Sequence, residues 1–117
     1  MSETTDFPIT FTDRFGKHYQ LSAMDIFYVE ADNIYSRIIC QEQAIHIPYP
    51  LSLMEELLPD YFLRIHRSFL INRYFITAFY RRTVIMANGV RLPVPEKKYH
   101  WLKHCLEEPG SNASGNS

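Results

Sequence analysis

The sequence is poor in the residues from which catalytic loops and disulfide frameworks are built. Of 117 residues, four are glycine and two are cysteine. No glycine-rich phosphate loop, Gly-x-Ser-x-Gly elbow or His-Glu-x-x-His pair occurs, and so few glycines leave little material for such loops. Cys40 and Cys105 are too far apart for a Cys-x-x-Cys site and too few for a disulfide framework, so both are read as reduced structural thiols. No apolar run approaches the roughly 18 to 20 residues of a membrane helix. The opening Met-Ser-Glu-Thr-Thr-Asp has neither the basic nor the apolar part of a secretory signal. These absences lead to the expectation of a cytoplasmic protein with no membrane partner.

Sites for chemistry are equally sparse. His66-Arg67-Ser68 holds a His and a Ser, which are not expected to form a proton relay. His100 and His104 have a metal-ligand spacing on a helix, yet no third ligand accompanies them, because Cys105 points about a hundred degrees away. The expectation is therefore no catalysis, no metal and no cofactor.

The residues present describe one globular domain. Apolar residues make up 46% and charged residues 21%, which excludes a disordered chain or a coiled coil. The domain is expected over 7–108, between a flexible start (1–6) and a disordered, apolar-poor tail (109–117). The net charge of -1 conceals an asymmetry. Residues 1–63 hold three basic and ten acidic side chains, whereas residues 64–117 hold nine basic and three acidic ones. A basic face of this kind suits a phosphate backbone.

Between Pro8 and Pro93 the pattern is of short strands rich in Val, Ile, Phe, Tyr and Thr. Expected hairpins join Ile9–Thr12 to His18–Leu21, Ile26–Ala31 to Tyr35–Cys40, and Thr83–Ala87 to Val90–Leu92. The last is expected to turn through a two-residue type I′ Asn88-Gly89. Two short helices are expected, at about 52–58 and 96–107. Ser52 and Glu55 have capping-box spacing at the first, and Tyr99, Leu102 and Leu106 form the buried stripe of the second. The segment Phe62 to Asn72 is the most informative: its apolar residues pack inward while Arg64, His66, Arg67 and Ser68 offer a compact set of donors for bases or phosphates. The competing reading is that these residues only decorate a sheet surface and that Asn72 only closes a turn.

Asp25-Ile-Phe-Tyr-Val-Glu-Ala31 followed by Asn33-Ile-Tyr-Ser-Arg37, the Leu-rich stretch Leu53 to Leu58, Phe62-Leu-Arg-Ile-His-Arg-Ser-Phe-Leu-Ile-Asn72, and Asn88-Gly89 through Leu92-Pro-Val94 occur in one order. That order resembles the LytTR-type DNA-binding domain of bacterial transcription regulators, the LytR/AlgR group, over about residues 25–106. The resemblance implies a mainly β fold, an elongated β-β-β arrangement whose loops rather than a recognition helix enter successive grooves. It implies double-stranded DNA as partner, at directly repeated short sites, with a homodimer on DNA allowed. Carried over by position, Asn33, Tyr35 and Ser36 would lie near bases or sugars and Arg37 near phosphate. Arg67 would read a base beside His66, with Arg64 and Ser68 on phosphate. A third contact would fall at Pro95-Glu96-Lys97-Lys98. There the sequence departs from the family's Ser-Arg-like pair, so Lys97 and Lys98 are expected to make the contact unless Glu96 accepts from a cytosine amino group. The phospho-receiver domain usual in response regulators is expected to be absent from this chain, which would be a stand-alone regulator or an excised domain. The alternative is a β-sheet interaction or dimerisation module that uses tyrosines such as Tyr28, Tyr74 and Tyr80.

Overall fold

The computed structural model describes residues 8–107. The expected flexible start (1–6) and disordered tail (109–117) lie outside the described residues. The strands are β1 (Pro8–Thr12), β2 (His18–Ser22), β3 (Ile26–Asp32), β4 (Tyr35–Cys40), β5 (Ala44–Ile47), β6 (Phe62–His66), β7 (Phe69–Asn72), β8 (Ile76–Tyr80), β9 (Thr83–Met86) and β10 (Arg91–Pro93). The helices are α1 (Leu51–Leu57) and α2 (Tyr99–Glu107), with single 3-10 turns at Ala23–Asp25, Arg73–Phe75 and Glu96–Lys98. Every strand pairing is antiparallel, in three sheets: β1-β2, β5-β4-β3-β7-β6 and β10-β9-β8. The expected mainly β fold with two short helices is what forms.

The five-stranded sheet is apolar on both faces, so two cores form. Val29, Ile38, Cys40, Ile45, Ile47 and Leu70 pack on one face with Phe11 of the first hairpin and Leu51, Met54 and Leu58 at α1. Tyr28, Ile65 and Ile71 pack on the other face with Val84, Met86 and Leu92 of the three-stranded sheet and Leu102 of α2. Tyr28 is thus a core residue and offers no exposed docking surface, whereas Tyr74 and Tyr80 are exposed. Strand β5 has little sequence signal, because Ala44–Ile47 is a short edge strand that buries only Ile45 and Ile47.

Two local expectations are corrected. Pro50, not Ser52, is the N-cap of α1, and it makes no side-chain capping bond. The Glu55 carboxylate turns instead to Arg64. The β9–β10 connection is not a two-residue turn: the Gly89 N–H donates to the Met86 C=O, the Met86 N–H donates to the Val90 C=O, and only Gly89 has positive φ. The loop therefore has three residues, Ala87-Asn88-Gly89, the pattern in which glycine occupies the left-handed position of a bulged turn. The first hairpin repeats this pattern, with Gly16 at φ 89 and Asp13 Oδ1 accepting from the N–H groups of Phe15 and Lys17.

Candidate nucleic-acid interface

Antiparallel pairing brings two turns to one end of the five-stranded sheet. Strands β3 and β6 both run toward that end, so the Asn33-Ile34 turn and the Arg67-Ser68 turn are neighbours there. The Ala31 N–H donates to the Ser68 C=O at 2.8 Å and ties them together.

In the first turn, Asp32 pairs with Tyr35, leaving a two-residue connection. Asn33 takes φ 64, a left-handed conformation that Asn tolerates better than most residues. Asn33 and Tyr35 are exposed, and Ile34 between them is 68% exposed. Ile34 joins the site residues only in the structure; its one sequence signal is an apolar side chain at the tip of a turn too tight to bury it. Ser36 does not face outward as expected. It is fully buried, and its Oγ donates to the Tyr49 C=O at 2.7 Å, anchoring β4 to the segment before α1. Arg37 lies opposite Glu30 on β3 and pairs with it at 2.6 Å. His46 Nε2 lies 3.5 Å from Asp32 Oδ2 on the same flank. A phosphate approaching Arg37 must therefore compete with Glu30.

In the second turn, a β-bulge separates residues that strict alternation would place together. Arg64 is registered with Leu70 and His66 with Phe69, so Ile65 is the extra residue. Bulges re-aim side chains in this way. Arg64 consequently lies toward α1, and His66 packs against Phe69 on the other face. The Arg64 guanidinium donates to the His66 C=O (3.0 Å), the Arg67 C=O (2.8 Å) and Glu55 Oε1 (2.9 Å). These bonds hold the turn itself and take three of the five N–H groups of the guanidinium. The Ser68 N–H donates to His66 Nδ1 at 3.0 Å, which leaves Nε2 as the proton-bearing nitrogen of the neutral ring. Arg67 is exposed, and its side chain has no partner among the described residues.

The third element is placed by two contacts. The Val94 N–H donates to the Arg82 C=O at 2.8 Å, and Lys98 Nζ donates to the Arg64 C=O at 3.0 Å while lying over the Trp101 ring at 4.7 Å. The result is a cleft of about 360 Å³ lined by Arg64, His66, Arg67, Pro95, Lys97 and Lys98. No carboxylate of the described residues lines it. Lys97 is exposed at its rim and Lys98 is half-buried, while Glu96 is turned toward Arg82 at 3.4 Å. Donors from two segments about thirty residues apart thus line one basic cleft. The arrangement can bind polyanions through fixed guanidinium, ammonium and imidazole N–H groups.

Among the described residues no three His, Cys, Asp or Glu side chains gather to hold a metal, and no helix is long and apolar enough to cross a membrane.

Residues 16–107 match the family model of the LytTr DNA-binding domain. A solved LytTr DNA-binding domain of a putative methyl-accepting/DNA response regulator from Bacillus cereus superimposes with a TM-score of 0.69 at 30% identity, covering 85% of this chain and 94% of that one. No curated protein matches the sequence. With the family model spanning most of the sequence and a solved domain sharing its fold, the chain belongs to the LytTR DNA-binding domain family.

Proposed function

We propose that this chain is a sequence-specific double-stranded DNA-binding domain of a bacterial transcription regulator that reads successive grooves through its turns. The observation that carries the reading is the carboxylate-free cleft of Arg64, His66, Arg67, Lys97 and Lys98, at the same sheet end as the Asn33-Ile34 turn.

Roles follow from exposure and from what each side chain is free to do. Arg67 has an unengaged fork that fits guanine O6 and N7. Asn33 offers a carboxamide suited to adenine, Ile34 an apolar surface for a thymine methyl or a sugar, and Tyr35 a phenol. His66 Nε2–H, the Ser68 hydroxyl and Lys97 donate to phosphate, and Arg37 does so by exchanging Glu30 for a phosphate oxygen. Lys98 shares its ammonium between the Arg64 carbonyl and the cleft. In this role the chain performs no catalytic step and uses no cofactor. Binding at directly repeated short sites, with two copies on one duplex, is part of the same reading.

The test is selection of bound sequences from a random duplex pool, followed by fluorescence anisotropy on the selected and a scrambled duplex at several salt concentrations. The expected result is an enriched motif bound far more tightly than the scrambled duplex, with steep salt dependence on both. Absence of duplex binding at low salt would favour the alternative of an interaction module acting through exposed Tyr74 and Tyr80.

A further inference from the structure

The turn Glu96–Lys98 is a ridge between two clefts. Lys97 and Lys98 line the cleft described above. Glu96 lines a second one, of about 370 Å³, with Arg81, Arg82, Tyr99 and His100. Arg81 and Arg82 do not line the first cleft. They form the two-residue tip of the β8–β9 hairpin, between paired Tyr80 and Thr83. The tip is fixed against the ridge because the Val94 N–H donates to the Arg82 C=O and leads directly into Pro95-Glu96.

We propose that the Arg81-Arg82 tip is a further contact to the phosphate backbone of duplex DNA, on the Glu96 side of the ridge. The inference rests on the DNA-binding reading above and extends it.

Three observations carry it. First, Arg81 sits at φ 52, a conformation in which a side chain costs about 1 kcal/mol relative to glycine. A hairpin tip that needs a left-handed residue is satisfied best by Gly or Asn, so arginine stands there against local backbone preference. Second, neither arginine is committed elsewhere. Arg81 is exposed, and its side chain has no partner among the described residues. Among the described residues Arg82 pairs with Glu96 alone, at 3.4 Å, with the two side chains 67% and 81% exposed, and an ion pair so solvated is readily exchanged for another anion. Third, the cations continue across the ridge. Arg67 and Lys97 lie on one side, Arg81 and Arg82 on the other, and the His100 ring and Tyr99 complete the second cleft with groups able to donate to phosphate oxygens. In this arrangement Glu96 occupies the place of a phosphate beside Arg82 in the free protein, which also accounts for an acidic residue next to a basic cleft.

A phosphate contact is independent of sequence, so the probe is a labelled random-sequence duplex of about three helical turns, titrated with the full chain by anisotropy from low to moderate salt. Arg81→Gly removes the charge and relieves the left-handed strain. It is expected to melt at the wild-type temperature or above, to bind roughly three- to tenfold more weakly at low salt, and to flatten the slope of log K against log salt by about 0.9. Arg81→Lys keeps the charge and should retain the wild-type slope. Glu96→Gln frees Arg82 and should tighten binding to the random duplex. An Arg81→Gly protein with wild-type affinity and slope overturns the tip contact and leaves the DNA reading standing, and specific capture of an acidic protein surface by the same tip would do likewise. Failure of the wild-type chain to bind any duplex removes the DNA reading, and the tip contact with it.

Discussion

The Arg64 guanidinium donates to the Arg67 carbonyl at 2.8 Å, so one arginine holds the backbone that presents another. The same group reaches the His66 carbonyl and Glu55, which makes Arg64 a clamp on the His66–Ser68 turn. Replacing it with Ala removes three charge-assisted hydrogen bonds from a half-buried site and should cost about 1 to 3 kcal/mol in urea unfolding. Arg64→Lys should recover little, because an ammonium cannot span three acceptors held by a planar fork. DNA affinity should fall in both variants even though Arg64 is not offered as a base reader. A variant with full stability and wild-type affinity would show that the turn holds itself.

Base reading and phosphate holding separate in a pair of substitutions. Arg67→Ala should cost about 1 to 3 kcal/mol on a selected duplex and much less on a scrambled one, since it removes a base-edge fork. Lys97→Ala should weaken both duplexes by similar factors and reduce the salt slope by roughly one contact. Anisotropy on the two duplexes measures each effect. Equal losses for Arg67→Ala would make it a backbone contact.

The left-handed Asn33 allows its side chain to be removed without disturbing the turn. Asn33→Gly should hold or raise the melting temperature, whereas Asn33→Val, β-branched at φ 64, should lose about 1 to 2 kcal/mol. If the carboxamide reads a base, Asn33→Gly narrows the gap between selected and scrambled duplex while the fold stays intact. An unchanged gap would shift the reading role of this turn to Ile34 and Tyr35.

Much of the fold was legible because its signals are local. Alternating Val29/Ala31 and Ile38/Cys40, glycines at positions 16 and 89, and the Leu102/Leu106 stripe each report a near-neighbour geometry. The ordered match from Asp25 to Val94 carried the family. What the sequence concealed depends on contacts between distant segments. Ser36 reads as a strand residue placed near bases or sugars until Tyr49, thirteen positions on, accepts its hydroxyl proton. Arg64 and His66 read as one face because an alternation pattern does not announce a bulge at Ile65. Asn72 reads as a turn-closer, and its Oδ1 does accept from the Tyr74 N–H, but its Nδ2 also donates to the Ile26 C=O, 46 positions away.

That second role makes Asn72 a sensitive position. It is fully buried, with Nδ2 donating to Ile26 at 3.1 Å and to Ala23 at 3.4 Å. Asn72→Ala should leave buried carbonyls and the Tyr74 N–H short of partners and cost about 2 to 4 kcal/mol. Asn72→Asp should be worse near neutral pH, because a carboxylate would face carbonyl oxygens where donors are required. Chemical denaturation of both variants checks the order.

Cys40 ties stability to alkaline pH. Burial pushes its thiol up to about 11, from an ordinary value of 9.0, with the nearby Asp25 carboxylate adding to the rise. Between those values the folded chain keeps the thiol proton and the unfolded chain has lost it. Unfolding then releases a proton, so this contribution is intact below about pH 9 and falls as pH rises toward 11, by about 2 kcal/mol in all. Tyr and Lys groups titrate in the same window, so the wild type must be compared with Cys40→Ala, in which those groups contribute alike. The stability difference between the two proteins in urea should shift against the wild type by that amount across the window. A difference independent of pH would mean that Cys40 meets solvent as readily in the folded chain as in the unfolded one. Rapid alkylation of the native thiol near pH 8 would point to the same exposure by a separate route, since a buried, protonated sulfur is a poor nucleophile.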